Sequence, residues 1–419
     1  MMDAEPPTFD LRLSALVYGG ECLGRLPDER AVFVPFALPG EKVRLRLVEE
    51  KPRYARAELL EILEPSPKRI TPRCLHFGVC GGCHYQHLSY QDQLDAKTAI
   101  LVEQLERIGK FVNPPVEAPV PAPAPFYYRN HVQFQITTDG NLGYHLARSD
   151  QPFPIRECHL PEERLNSIWP LLDINADAAI KRIGLRLGAG DDAMLILESD
   201  EPGLPEFSVE DLTLSTVHLG PAGAQVLAGS DHFSIEVLGK RFRVSATSFF
   251  QVNTPMAEKL VTHLLEGLDL SNEATVLELF SGVGLFSAFL AAKTSRLVCV
   301  ESSASACEDF MYNLEEFSHV ELYESTVEMA LPSIQIAPEV LVMDPPREGV
   351  DRHALEALLN IRPRQIAYVS CDPATLARDG RRLREGGYHL VRVTPFDLFP
   401  QTYHIESISF WMVEGGRFS

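Results

Sequence analysis

The chain has 419 residues, 45% of them hydrophobic, and its 38 basic residues against 58 acidic ones leave a formal net charge of −20. That length allows two or three domains with cores of their own, and the balance of apolar to charged residues excludes wholesale disorder, collagen-like repeats and low complexity. A charge of this sign argues against a protein that coats polyanions nonspecifically. The first residues, Met1-Met2-Asp3-Ala4-Glu5, are acidic where a leader peptide would be basic, and no apolar run reaches the roughly 20 residues of a membrane span. A cytoplasmic, reducing setting is therefore expected, in which cysteines serve as thiols, metal ligands or nucleophiles rather than disulfides.

Residues 10–64 read as short strands and turns. Val43, Leu45 and Leu47 alternate with Arg44 and Arg46, which gives one apolar and one basic face. Tyr18-Gly19-Gly20 and Leu38-Pro39-Gly40 supply turns, so a small β-barrel is expected. Through Arg73 this segment carries twelve basic and twelve acidic residues, so the net charge lies entirely downstream. Leu94, Ile100, Leu101, Leu105 and Ile108 predict a helix over 90–110, closed by Gly109. Residues 113–125, rich in Pro and Ala, predict an extended polyproline-like connector. From 126 to about 245 the pattern is β-rich, with a hairpin signal at Asp139-Gly140. Beyond Phe249, strands over 275–279, 297–300, 339–343 and 365–369 alternate with helices, which predicts a doubly wound α/β sheet with ligands at the strands' carboxyl ends.

Each of those strand ends carries a residue with chemistry to offer. Phe280-Ser281-Gly282-Val283-Gly284 makes a glycine-containing turn into a helix, and Glu301, about 20 positions on, could hold ribose hydroxyls. The spacing does not separate a dinucleotide from S-adenosylmethionine. Asp344-Pro345-Pro346-Arg347 is a rigid turn that could hold a base or cofactor, although Asp344 could equally cap a helix. Cys371, in Ser370-Cys371-Asp372-Pro373, has the position of an activated thiolate, and Glu406, in His404-Ile405-Glu406, could serve as a general base or be a solvated strand residue. Cys74, Cys80 and Cys83 on a glycine-rich loop, with the distant Cys158, make a four-sulfur set for zinc or an iron–sulfur cluster. Arg362, Arg364, Arg378, Arg381, Arg382 and Arg384 form a basic window around Cys371 that suits an anionic substrate such as RNA.

Taken together and in this order, these motifs resemble the RNA uracil-C5 methyltransferase family, specifically its TRAM-bearing, iron–sulfur type that includes the bacterial 23S ribosomal RNA enzymes. The resemblance implies an OB-like, RNA-binding TRAM barrel over 1–66, a central β-rich domain over 67–245 with [4Fe–4S] ligands Cys74, Cys80, Cys83 and Cys158, and a class I, Rossmann-like methyltransferase domain over 246–419. It implies that the helix near 90–110 packs with the catalytic domain. S-adenosylmethionine contacts would be Gln251, within Phe249-Phe250-Gln251-Val252-Asn253, together with Phe280, Gly282, Glu301 and Asp344. The chain departs from the pattern at Leu285, where some members carry a cofactor-contacting Asn. Cys371 would be the nucleophile and Glu406 the base.

The implied chemistry is reasonable, because C5 of uracil is a poor nucleophile until a thiolate adds to C6 and leaves an enolate. The expected substrate is 23S ribosomal RNA, with transfer RNA the alternative, and no membrane or obligate protein partner is expected. Arg347 stands where RNA 5-methylcytosine enzymes usually carry a second cysteine. A non-catalytic RNA-binding or iron–sulfur protein on the same scaffold would have no need of Cys371 and Glu406.

Overall fold

The computed structural model describes residues 7–172, 180–201, 203, 214–413 and 415, so the acidic first residues lie outside it. The chain forms two compact units, each discontinuous in sequence. The first comprises Met1–Ile100, Tyr144–Glu157 and Phe399–His404, and the second Leu101–Gly143, Cys158–Leu398 and Ile405–Ser419. No helix among the described residues is long and apolar enough to cross a membrane.

In the first unit, strands Thr8–Arg12, Ala15–Val17, Glu21–Arg25, Ala31–Pro35, Lys42–Glu50 and Tyr54–Glu64 form one six-stranded sheet. The alternation around Val43 holds: Val43 and Leu45 are fully buried with Val32, Val34 and Ala55, while their neighbour Arg44 is exposed. A Cβ on Gly24 would lie 2.7 Å from Leu11 and 2.9 Å from Leu13, so strand Glu21–Arg25 presses against the opposite end of the sheet order and the sheet rolls toward a barrel. Glycines at φ +105° and +82° make the turn at Gly19-Gly20. The expected basic face is corrected. Arg44 stands directly across from Asp10 and Glu61 and bonds both, and Arg46 stands across from Glu58 and bonds it at 2.7 Å. Cross-strand neighbours on a sheet face are close enough to pair opposite charges, so these arginines are neutralised where they stand.

In the second unit, strands His131–Ile136, Ile180–Leu187, Ala193–Ser199, Ser215–Gly220 and Gly223–Ala228 are sheet neighbours in that order. A second layer is a seven-stranded sheet: β1 (Thr275–Leu279), β2 (Arg296–Glu301), β3 (Val320–Glu324), β4 (Val340–Met343), β5 (Gln365–Ser370), β6 (Tyr388–Phe396) and β7 (Glu406–Val413), ordered 3-2-1-4-5-7-6. β1 through β5 run parallel and β7 is antiparallel to both β5 and β6. β1, β4 and β5 are buried along nearly their whole length and, Glu278 in β1 apart, are mostly apolar, as strands covered on both faces are. The strand order reverses between β1 and β4, the point at which α/β sheets open a crevice at their carboxyl ends.

The Pro-rich connector is extended as expected, and it has a structural task. Glu117 N donates to Val393 O and Val120 N to Pro395 O, both at 2.8 Å, and Asp397 N returns a bond to Val120 O. The segment lies along β6 and covers the sheet's edge, where unpaired backbone groups would otherwise face solvent.

Candidate active site

Six segments of the second unit bring the site together. At the end of β1 the chain turns through Phe280, a non-glycine residue at φ +62°, then Gly282 at +55° and Gly284 at +90°. The two glycines serve different ends. A Cβ on Gly284 would lie 2.4 Å from Leu314, so this position lets the turn pack on the helix that follows β2, whereas nothing lies within 4 Å of a Cβ on Gly282. Gly282 thus leaves open space above the strand end. Glu301, the last residue of β2, accepts from Gly282 N at 2.8 Å and from Ser302 N and Ser303 N at 2.7 Å. A carboxylate offers about four lone-pair sites, so one remains for a ligand hydroxyl.

The loop before the helix Thr254–Gly267 comes to the same edge. Asn253 Nδ2 donates to Leu398 O, just past the end of β6, and Asn130 Nδ2 donates to Gln251 O. Gln251 and Phe250 are nearly buried and Phe249 is 71% exposed. Asp309, wholly buried on the helix after β2, accepts from Ser245 N and Oγ and from Ser248 Oγ, which fixes the run into this loop.

Asp344 follows β4 and does not cap a helix; that role belongs to Asp351, whose side chain accepts from His353 N ahead of the helix Arg352–Ile361. Cys371 follows β5 on a tight turn. Asp372 accepts from Ala374 N and Thr375 N at 2.9 Å and caps the helix Pro373–Glu385. Ser370 pairs with Ser407 across β5 and β7, and one further step in that register sets Cys371 opposite Glu406. Glu406 is nearly buried and Cys371 partly exposed. Thiol and carboxylate therefore face each other at the mouth of the crevice.

Electrostatics modify the expectation of an activated thiolate. Burial, then the carboxylates of Glu406 and Asp344, push the Cys371 thiol up to about 12, while Arg347 opposes them. Burial also raises Asp344 to about 7 and Glu278, in β1, to about 8. The resting site thus favours a neutral thiol, and the Asp344 carboxyl near it is itself reluctant to ionise because it is cut off from water.

Glu278 is the residue that sequence reasoning passed over. It is fully buried, accepts from Ser287 Oγ at 2.7 Å and lies within electrostatic reach of Asp344 and Glu301. The signal was a lone carboxylate inside an otherwise apolar parallel strand.

The arginine window does not surround Cys371. Arg362 and Arg364 precede β5, so a six-residue strand, about 20 Å long, separates them from the thiol, and Arg364 is bound to Asp269. Arg378 bonds Asp379, Arg381 bonds Glu385, and Arg384 donates to Lys110 O and covers the Phe111 ring. These cations are occupied by the fold.

Cys74, Cys80 and Cys83 lie on one loop of the first unit, whereas Cys158 falls in the second. His76 N points at Cys74 Sγ (3.4 Å) and Gly82 N at Cys80 Sγ (3.3 Å). Amides aimed at sulfur are the contacts that cluster thiolates use. Among the described residues no three His, Cys, Asp or Glu side chains gather closely enough to hold a metal ion. A zinc ion would need four donors about 2.3 Å from one point.

The chain is similar to known proteins. Residues 230–412 match the family described as tRNA (Uracil-5-)-methyltransferase, and residues 8–60 match the TRAM domain. A Gloeobacter violaceus protein named as an uncharacterized RNA methyltransferase is 34% identical over 96% of both chains. An Aquifex aeolicus protein of the same description is 35% identical over 95% of this chain and 97% of its own. The Pyrococcus abyssi tRNA (uracil-54, C5)-methyltransferase, solved with S-adenosyl-L-homocysteine, superposes with a TM-score of 0.74 at 24% identity and covers 96% of this chain and 100% of its own. At that identity the likeness speaks for the fold.

Proposed function

Because this chain belongs to the TRAM-bearing RNA uracil-C5 methyltransferase family, we propose that it methylates C5 of a specific uridine in 23S ribosomal RNA through a covalent adduct between Cys371 and C6. The observation that carries the mechanism is the register that faces Cys371 with Glu406 at the carboxyl edge of the sheet. The thiolate adds to C6 and the pair of electrons displaced from the C5–C6 double bond forms an enolate. C5 then takes the methyl group from the sulfonium, releasing S-adenosylhomocysteine. Glu406 removes the C5 proton, the double bond re-forms and Cys371 leaves as thiolate. The base must be unstacked to be attacked on its face, which favours a loop or a flipped nucleotide.

Gln251, Phe280, Gly282, Glu301 and Asp344 are the proposed contacts for S-adenosylmethionine, with Glu301 on the ribose and the open space over Gly282 for the amino-acid end. Cys74, Cys80, Cys83 and Cys158 would hold a [4Fe–4S] cluster, whose contribution is structural in this reading. The amides directed at Cys74 and Cys80 support it. The ribosomal substrate is favoured over transfer RNA because the bacterial tRNA-acting branch of the family generally lacks both a TRAM barrel and the cysteine set, and both cofactor and thiol suit a cytoplasmic enzyme.

Cys371→Ala should abolish methyl transfer while leaving S-adenosylmethionine affinity within about twofold, because the thiol is no cofactor ligand. Turnover near wild type would remove it as nucleophile. Glu406→Gln should accumulate a covalent RNA–protein adduct visible on denaturing gels. Mass-spectrometric mapping of 5-methyluridine in ribosomal and transfer RNA from a deletion strain assigns the substrate: a site lost from transfer RNA alone would overturn the ribosomal assignment. Anaerobically purified protein should be brown and lose its visible absorbance in Cys80→Ala, and a colourless protein would sink the cluster.

A further inference from the structure

Behind the turn that carries Asp344 and Arg347 stands a buried carboxylate that the mechanism does not use. Asp379, on the helix Pro373–Glu385, is wholly inaccessible to solvent. It accepts from Val350 N at 3.0 Å, from the Tyr368 hydroxyl at 3.1 Å and from Arg378 Nε at 2.8 Å. The same guanidinium donates to Glu348 O at 2.7 Å. Gly349, at φ +75°, lies so close that a Cβ there would sit 2.4 Å from Asp379 Oδ2 and 2.6 Å from Arg378 Nη2. One carboxylate therefore ties together the turn after β4, strand β5 three residues ahead of Cys371, and the helix whose cap follows Cys371.

We propose that Asp379 is a positioning residue that sets the turn bearing Arg347 against Cys371. The inference rests on the reading of Cys371 as nucleophile, but its geometry does not. The groups acting on the thiol are Glu406 from β7, Asp344 and Arg347 from the turn, Asp372 from its own helix cap, and Tyr368 from its own strand. Among them Arg347 is the cation. Two of the contacts that hold the turn lie at its ends. Asp344 N donates to Leu279 O, which pins the proline-rich start to β1, and Asp379 with Arg378 pins the far end at Glu348 and Val350. Loosening the far end moves Arg347 more than Asp344. The thiol then loses its favourable neighbour while keeping the unfavourable ones, and it ionises less readily.

The test is alkylation of Cys371 by iodoacetamide in the full-length protein between pH 7 and 9.5, followed on its tryptic peptide by mass spectrometry. Asp379→Asn should react about threefold more slowly at pH 8, the ratio that a displacement of roughly half a pH unit produces. The sign is diagnostic. Removing a negative charge would by itself favour the thiolate and speed alkylation, so slower reaction reports displacement of the turn. Gly349→Ala, which pushes the turn away while leaving the Asp379 carboxylate intact, should slow the reaction in the same direction. It decides the matter alone if Asp379→Asn does not fold by thermal unfolding. Wild-type or faster alkylation in the folded variants overturns the proposal. The assay uses neither RNA nor S-adenosylmethionine, so its outcome is independent of whether Cys371→Ala proves the nucleophile assignment wrong.

Discussion

At the level of single residues, the site concentrates buried carboxyl groups, and their titration has consequences for stability. Glu278 is raised to about 8 and Asp344 to about 7 from ordinary carboxylate values. Between those limits the folded protein binds protons that the unfolded chain has released. Stability contributed by the neutral forms is therefore present in full below the unfolded values and is lost as pH rises through the folded ones. Glu278→Gln, which keeps an acceptor for Ser287, should remove part of that slope and stabilise the protein at pH 8.5 by on the order of 1–2 kcal/mol in urea unfolding, with little gain at pH 5. An unchanged difference between the two pH values would show that Glu278 is ionised in the folded state. The same crowding suggests how Cys371 becomes reactive. A sulfonium brought beside Asp344 offsets the negative field on the thiol, so saturating S-adenosylmethionine should speed Cys371 alkylation several-fold relative to S-adenosylhomocysteine, which lacks the sulfonium charge but blocks the site equally. Equal rates would assign activation to the RNA.

At the level of elements, the two glycines after β1 separate packing from binding. Gly284→Ala forces a Cβ against Leu314 and should destabilise by roughly 1–3 kcal/mol. Gly282→Ala meets open space, so its thermal midpoint should fall less while its KM for S-adenosylmethionine rises at least about tenfold. If both variants lose stability equally, Gly282 is not a binding position. Four of the five parallel strands were legible beforehand: 275–279 coincides with β1, and β2, β4 and β5 sit within a residue or two of their apolar runs, because parallel strands buried on both faces are rich in Val, Ile and Leu. β3, Val320-Glu321-Leu322-Tyr323-Glu324 at the sheet's edge, carries no such run and was missed. The position of Cys371 at a strand end followed from the same pattern. What the pattern could not supply was pairing across long separations. The partners of Arg44, Arg46 and the arginines flanking Cys371, and the docking of 113–125 along β6, depend on which strand lies beside which. No local periodicity records that. The placement of Glu406 was visible only as a strand start; its apposition to Cys371 needed the register of β7.

At the level of the whole molecule, an acidic protein whose surface arginines are largely committed to carboxylates can meet RNA through few free cations. The logarithm of its RNA affinity should fall with the logarithm of salt by a slope corresponding to only about two to four phosphate contacts, and Arg44→Ala with Arg46→Ala should leave that slope unchanged within about one. A steep slope, or its loss in the double variant, would restore the basic-face reading of the barrel. The order of strands in the catalytic sheet also bears on when the enzyme comes into being. β7 is the last of the seven to be made, yet it inserts between β5 and β6 and brings Glu406 to the cysteine. During translation the proposed S-adenosylmethionine contact residues have all been synthesised once Asp344 emerges after β4, whereas Cys371 stands without Glu406 until β7 joins the sheet. In the proposed mechanism, methyl transfer therefore waits on the last strand of the sheet, not on the cofactor turns.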